Sequence, residues 1–157
     1  MSRRRKRGLR GYDGAKHIKG RKRFILVDTL GLVLGVLVTE ANITEREGAE
    51  WLLTAVSDRF PRLILVWVDG GFSGADFAER IKRLCGLTIE VVKRPDDAKG
   101  FVLLARRWVV ERTFAWLGNY RRLSKDYEFS VYSSDNTIWA AMTHLMVRRL
   151  ARHNAAL

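Results

Sequence analysis

Two carboxylates stand where a side chain could do chemistry. Asp69 follows the apolar run Leu63-Ile64-Leu65-Val66-Trp67-Val68 and precedes Gly70-Gly71. A carboxylate at the end of a buried strand projects beyond the carboxyl ends of the sheet, where α/β folds present their ligands. The glycines let the chain turn away without covering it. The competing reading is an Asp that merely opens a turn before Gly-Gly. Glu111 lies in a segment of helical period, four residues after Arg107. At about 100° per residue it flanks the stripe of Val110, Phe114 and Leu117, where a carboxylate can point into a cleft. Its competing reading is an Arg107–Glu111 pair on a solvated helix face, in the less favourable order for such pairs.

Lys93, Arg94, Arg106, Arg107, Arg112, Arg121 and Arg122 lie near these acids in sequence. Two carboxylates from different elements, with cations around them, suggest metal-assisted phosphoryl transfer, because hard Mg²⁺ prefers carboxylate oxygens. Two carboxylates are a thin set for holding a pair of ions. Trp108, Trp116 and Tyr120 interleave with the arginines and read either as a stacking surface for unpaired bases or as core aromatics. His144 reads as a packing histidine. Cys85 is the single cysteine and the three histidines are scattered, so no zinc cluster can be assembled.

The elements that would position Asp69 and Glu111 follow from periodicity. Residues 24–28 and 32–38 are β-rich runs around Thr29-Leu30-Gly31 and read as a hairpin of buried strands. Thr44-Glu45-Arg46-Glu47 matches a capping box, and Ala49, Leu52, Leu53 and Val56 continue it as a helix up to Pro61. A strand over residues 63–68, a helix capped by Ser73 with Phe77, Ile81 and Leu84 on one face, and a strand over 87–92 form a crossover unit with parallel strands. Two helices follow, over residues 105–117 and about 136–152, the last burying Ile138, Met142, Leu145 and Met146. The expected class is α/β with a mixed sheet, an antiparallel hairpin beside a parallel pair.

The chain has 157 residues and a formal net charge of +12. Residues 1–23 carry +10, residues 24–100 carry −3 and residues 101–157 carry +5. A basic, glycine-containing start reads as a flexible arm over residues 1–23, attached to one unit over 24–157. This distribution points to a polyanion partner, with nucleic acid first, since each Lys or Arg on a phosphate releases counterions. The apolar run over residues 24–38 is broken by Asp28 and too short to span a bilayer. A lone thiol and no signal-peptide pattern fit a soluble cytoplasmic protein without a membrane partner.

Arg106-Arg107-Trp108-Val109-Val110-Glu111-Arg112-Thr113-Phe114-Ala115-Trp116-Leu117, then Tyr120-Arg121-Arg122-Leu123 and Lys125-Asp126-Tyr127-Glu128, resembles the third-acid signature of DDE transposases of bacterial insertion sequences, in the insertion-sequence-5 group. Val68-Asp69-Gly70-Gly71-Phe72-Ser73-Gly74 is similar to the second-acid motif, and residues 11–31 to the stretch just after the first-acid strand. The resemblance covers about residues 11–150.

It implies an RNase H-like mixed sheet flanked by helices, two divalent metals (Mg²⁺ or Mn²⁺), and DNA cleavage and strand transfer at element ends. Asp69 and Glu111 would be the catalytic metal ligands. Arg107, Arg112, Arg121, Arg122, Lys93 and Arg94 would contact DNA, and Arg107 could instead orient Glu111. Leu104 and Gly118 stand where the family often has a Tyr and a Lys, so Arg121 or Arg122 would replace that Lys on DNA.

The first Asp would belong to a strand upstream of residue 11, outside this chain; Asp13 and Asp28 are unconvincing substitutes. The sequence therefore reads as the C-terminal portion of a transposase catalytic domain, lacking its first strand and incomplete alone. Its partners would be DNA and either an upstream-frame transposase product or another copy of itself. The rival readings are a non-catalytic basic DNA-binding protein or repressor derived from a transposase, and an RNA-binding module.

Overall fold

Strand propensity begins earlier than the apolar run. The computed structural model describes residues 8–92 and 108–154, and its first strands are β1 (Gly11–Asp13) and β2 (Ile18–Val27). Much of the stretch expected to be a flexible arm is thus in strands from Gly11 onward. The cause is distant in sequence: Arg21 donates to the Asp126 carboxylate at 3.0 Å and to the carbonyls of Glu128, Phe129 and Ser130. Arg23 donates to the Leu123 carbonyl at 2.7 Å. Charge-assisted bonds of this kind are about twice as strong as neutral ones, and they fasten basic residues that composition alone assigns to solvent.

β2 pairs antiparallel with β3 (Val33–Glu40) through the turn after Val27, with a register shift at Leu26/Val27. Asp28 shapes that turn, its Oδ1 accepting from Leu30 N at 2.9 Å and Leu32 N at 2.8 Å. Helix α1 (Glu45–Ser57) starts on the expected capping box: Thr44 Oγ1 accepts from Glu47 N, and Glu47 Oε2 accepts from Thr44 N. Gly48 lets α1 lie directly on β2, since a Cβ there would stand 2.2 Å from the Phe24 ring.

β4 (Leu65–Val68), α2 (Ala75–Cys85) and β5 (Thr88–Val91) form the parallel crossover, in register from Leu65↔Thr88 to Val68↔Val91. The α2 N-cap is Gly74, at φ +135, with no side-chain cap, so Ser73 does not cap this helix. Phe77 and Ile81 are buried, but Leu84 faces solvent. Helix α3 (Trp108–Gly118) and helix α4 (Val131–Asn154) complete the chain. α4 begins five residues before its expected start and buries Ser134, Ile138, Ala141 and Met142, while Met146 is exposed.

Two apolar clusters define the layers. Leu52, Leu53 and Val56 of α1 meet Phe77 and Ile81 of α2 over Leu26, Val66 and Leu87. Leu117, Ile138, Ala141 and Met142 from α3 and α4 meet Val33 and Val38. Helices therefore cover both faces of an α/β arrangement. Among the described residues the hairpin and the parallel pair do not share one hydrogen-bonded ladder: the strand orders are β1-β2-β3 and β4-β5. The expected single mixed sheet is divided between β2 and β4.

Candidate active site

Asp69 leaves β4 in extended backbone, φ −83 and ψ 178, and caps the single 3₁₀ turn Gly70–Phe72. Its Oδ1 accepts from Gly71 N at 2.9 Å, so the turn-opening reading and an exposed carboxylate hold together. Gly71 packs closely here: a Cβ would sit 3.1 Å from Asp69 Oδ1 and 3.2 Å from Glu45 Oε2. Two carboxylates thus flank one glycine.

Glu45 is the acid that sequence reasoning passed over. Its place at the first turn of α1 explains it already as a helix-start residue favoured by the dipole. The only sequence signal was its neighbourhood to the capping box. Arg46 beside it donates to the Ser73 carbonyl, tying the start of α1 to the segment after Asp69.

Glu111 lies in the first turn of α3, exposed, as the helical period predicts. The turn between β2 and β3 places that helix. Thr113, fully buried, donates through Oγ1 toward the Gly31 carbonyl at 2.8 Å, and Arg112 Nη2 donates to the Leu30 carbonyl at 3.1 Å. The Arg112 guanidinium lies 4.3 Å from the Trp108 ring centre and 4.8 Å from that of Trp116. Arg149 covers Trp116 at 4.1 Å. Such stacks stabilise by roughly 0.5–2 kcal/mol each.

The tryptophans are therefore engaged by arginines rather than presented as open stacking faces. Tyr120 shares a 3.0 Å hydrogen bond with His144, which is exposed on α4.

One cleft of about 1120 Å³ receives Asp69, Glu111 and Glu45 in its lining, together with Asp13 and Asp28. Its walls are apolar, including Leu26, Val66, Val110 and Phe114. Phe114 is 38% exposed because it faces this cleft rather than the core.

Asp13 is bound to its own hairpin: the Lys16 backbone N–H, then that of Ala15 and the Lys22 ammonium, lower its carboxyl below the ordinary value. Asp28 is committed to the β2–β3 turn. Carboxylate oxygens of Asp69, Glu111 and Glu45 are donors of the kind Mg²⁺ or Mn²⁺ takes. Among the described residues no group of three or more His, Cys, Asp or Glu is close enough to hold a metal.

Of the expected DNA contacts, Lys93, Arg94 and Arg107 lie outside the described residues. Arg121 and Arg122 are exposed on the turn after α3 and outside the cleft lining, and Arg122 pairs with Glu128 at 2.8 Å. Arg112 is held in its tryptophan stack. The cations that do line the cleft are Lys16, Arg21, Lys22, Arg23 and Lys125, all but Lys125 from the basic start of the chain.

The family described as "Transposase DDE domain" matches residues 1–146. Over 116 residues the chain is 31% identical to a Burkholderia cepacia protein described as "Putative transposase for insertion sequence element IS402". That alignment covers 69% of this chain and 54% of the relative, so the chain spans about half the length of the curated relative it matches. No solved structure matches it. Among the described residues no helix is long and apolar enough to cross a membrane.

Proposed function

Because the chain belongs to the DDE transposase family of insertion sequences, we propose that it is part of a catalytic domain that cuts and joins DNA at element ends. The observation that carries this reading is the meeting of Asp69 and Glu111, from two separate elements, in the lining of one cleft. The motif resemblance assigns the same two residues, in an RNase H-like frame of the insertion-sequence-5 group. Asp69 and Glu111 are the residues that would hold Mg²⁺ or Mn²⁺. Such ions, when bound, activate the attacking oxygen and stabilise the leaving one in an in-line displacement.

The chain's own residues supply position. The Gly71 N–H fixes one oxygen of Asp69 and leaves the other for a ligand. The Thr113 and Arg112 bonds to the β2–β3 turn fix the helix that carries Glu111. Arg107, Arg121, Arg122, Lys93 and Arg94 contact the DNA backbone in this reading, in a cytoplasmic setting, and Arg112 supports them by holding α3.

Plasmid nicking at an element end tests the assignment. Whatever cleavage the chain supports, alone or with a polypeptide that completes its site, requires Mg²⁺ or Mn²⁺ and disappears in Asp69→Ala and in Glu111→Ala. Full cleavage by Asp69→Ala would overturn it.

The absence of a three-acid group among the described residues favours a second reading, a DNA-binding repressor without catalysis. It predicts an affinity that falls steeply with salt and is the same in Asp69→Ala. Salt-independent binding would count against it.

A further inference from the structure

Three large aromatic side chains face solvent in one short stretch beside the cleft. Tyr127 is 61% exposed, Phe129 63% and Tyr132 73%. A single exposed ring is ordinary, but three in so short a stretch leave apolar area that water solvates poorly and that a ligand can cover.

The exposure is built into the backbone. From Asp126 to Ser130 burial alternates residue by residue, the period of extended chain. Asp126, Glu128 and Ser130 turn inward and are satisfied there. Asp126 accepts from Arg21 at 3.0 Å and from the Ser134 hydroxyl at 3.0 Å, Glu128 pairs with Arg122 at 2.8 Å, and the Ser130 and Ser133 hydroxyls bond at 2.9 Å. Arg21 also takes the Glu128 and Phe129 carbonyls, and Arg10 takes that of Asp126. With the inward side fixed, Tyr127 and Phe129 are held on the outward side, and Tyr132 follows in the first turn of α4. Rings on a fixed backbone, with two χ angles each, lose little conformational freedom when a flat ligand covers them.

Charge selects the ligand. Both acids of the stretch are paired with arginines, so neither is left to repel an anion. Arg121 and Lys125, both exposed, precede the rings. Arg3-Arg4-Arg5-Lys6-Arg7 leads in sequence into Gly8, which packs on the Phe129 carbonyl, where a Cβ would stand 1.9 Å from the oxygen. Apolar rings among cations suit a ligand that offers flat faces and phosphates together, which is an unpaired nucleic-acid strand. A duplex keeps its base faces inside the stack. Lys125 and Asp126 line the cleft that holds Asp69 and Glu111, and Tyr127 is the next residue along the chain.

We propose that Tyr127, Phe129 and Tyr132 form a stacking platform for unpaired DNA nucleotides adjoining the strand in the cleft. The choice of DNA rests on the reading of the cleft given above, whereas the platform itself needs neither a metal nor the two carboxylates.

The test titrates the full chain, without divalent metal, into fluorescein-labelled oligothymidylate of about 12 nucleotides, within the span such surfaces bind. An abasic strand of the same length keeps the phosphates and lacks the bases. Anisotropy is expected to show binding at least about tenfold tighter to oligothymidylate. The triple variant Tyr127→Leu, Phe129→Leu, Tyr132→Leu changes only exposed positions, and is expected to lose that preference while binding the abasic strand as the native chain does. Asp69→Ala is expected to keep the preference, so that failure of the platform and failure of the metal reading are seen separately. A second measurement needs no variant: photocrosslinking of an oligonucleotide carrying 5-iodouracil is expected to attach it to Tyr127, Phe129 or Tyr132.

Equal affinity for the two strands, a preference that survives the triple substitution, or crosslinks confined to other residues would overturn the proposal. Tighter binding of oligouridylate than of oligothymidylate would make the partner RNA, and a triple variant that sediments as a smaller species than the native chain would assign the rings to a second copy. Either result also overturns it.

Discussion

Asp135 shows what a single unsatisfied carboxyl does in this fold. It is half-buried in α4, its Oδ1 is buried without a hydrogen-bond partner, and burial pushes its pKa from 3.8 up to about 6, partly offset by a bond from the Val38 backbone. The folded state therefore holds the proton more tightly than the unfolded one. The contribution to stability is fully present below about pH 4 and is lost as pH rises through about 6. A shift of this size would be about 3 kcal/mol, and partial exposure lowers that to ~1 kcal/mol. Asp135→Asn is expected to be more stable than the native chain by ~1 kcal/mol in urea unfolding above pH ~7, and equal to it near pH ~4; an equal difference at both would refute the assignment. At this scale the place of Asp69 at the end of β4 was legible, because an apolar run before Gly-Gly marks a strand end and a turn. The Arg112 stack was not, since no spacing rule says whether a guanidinium meets a phosphate or the rings four residues either side.

Helix α3 is only as well placed as its seat on the β2–β3 turn. The Thr113 hydroxyl lies 2.8 Å from the Gly31 carbonyl and 3.0 Å from that of Val109, in a site with no solvent. Thr113→Val keeps the shape and leaves the Gly31 carbonyl without this donor, a cost of about 1–3 kcal/mol. Denaturant midpoints check this, and an unchanged midpoint would mean that the turn does not anchor the helix. The hairpin, α1 and the β4–α2–β5 crossover were readable because their apolar periods and the Thr44 capping box are local signals. β1 and the first half of β2 were not, because their order comes from Asp126 and from the carbonyls of residues 123–130, about a hundred positions away. The early start of α4 was equally hidden in the polar stretch Ser133-Ser134-Asp135-Asn136.

At the scale of the whole molecule, the sequence announced an α/β chain with a mixed sheet, but not that the strands of the described residues divide into two sheets with an apolar cleft between them. Periodicity identifies strands and is silent on which edges are paired. That division puts Asp69 and Glu111 on the lining of one space, and the claim that they act together is tested most directly by paramagnetic relaxation. Substoichiometric Mn²⁺ added to the labelled chain broadens amide signals within reach of its site, even when binding is weak. Signals of Gly70 and Gly71 and those of the first turn of α3 are expected to broaden together, and both effects to vanish in Asp69→Ala and in Glu111→Ala. Broadening confined to one of the two segments, or unchanged in either variant, would contradict a shared site.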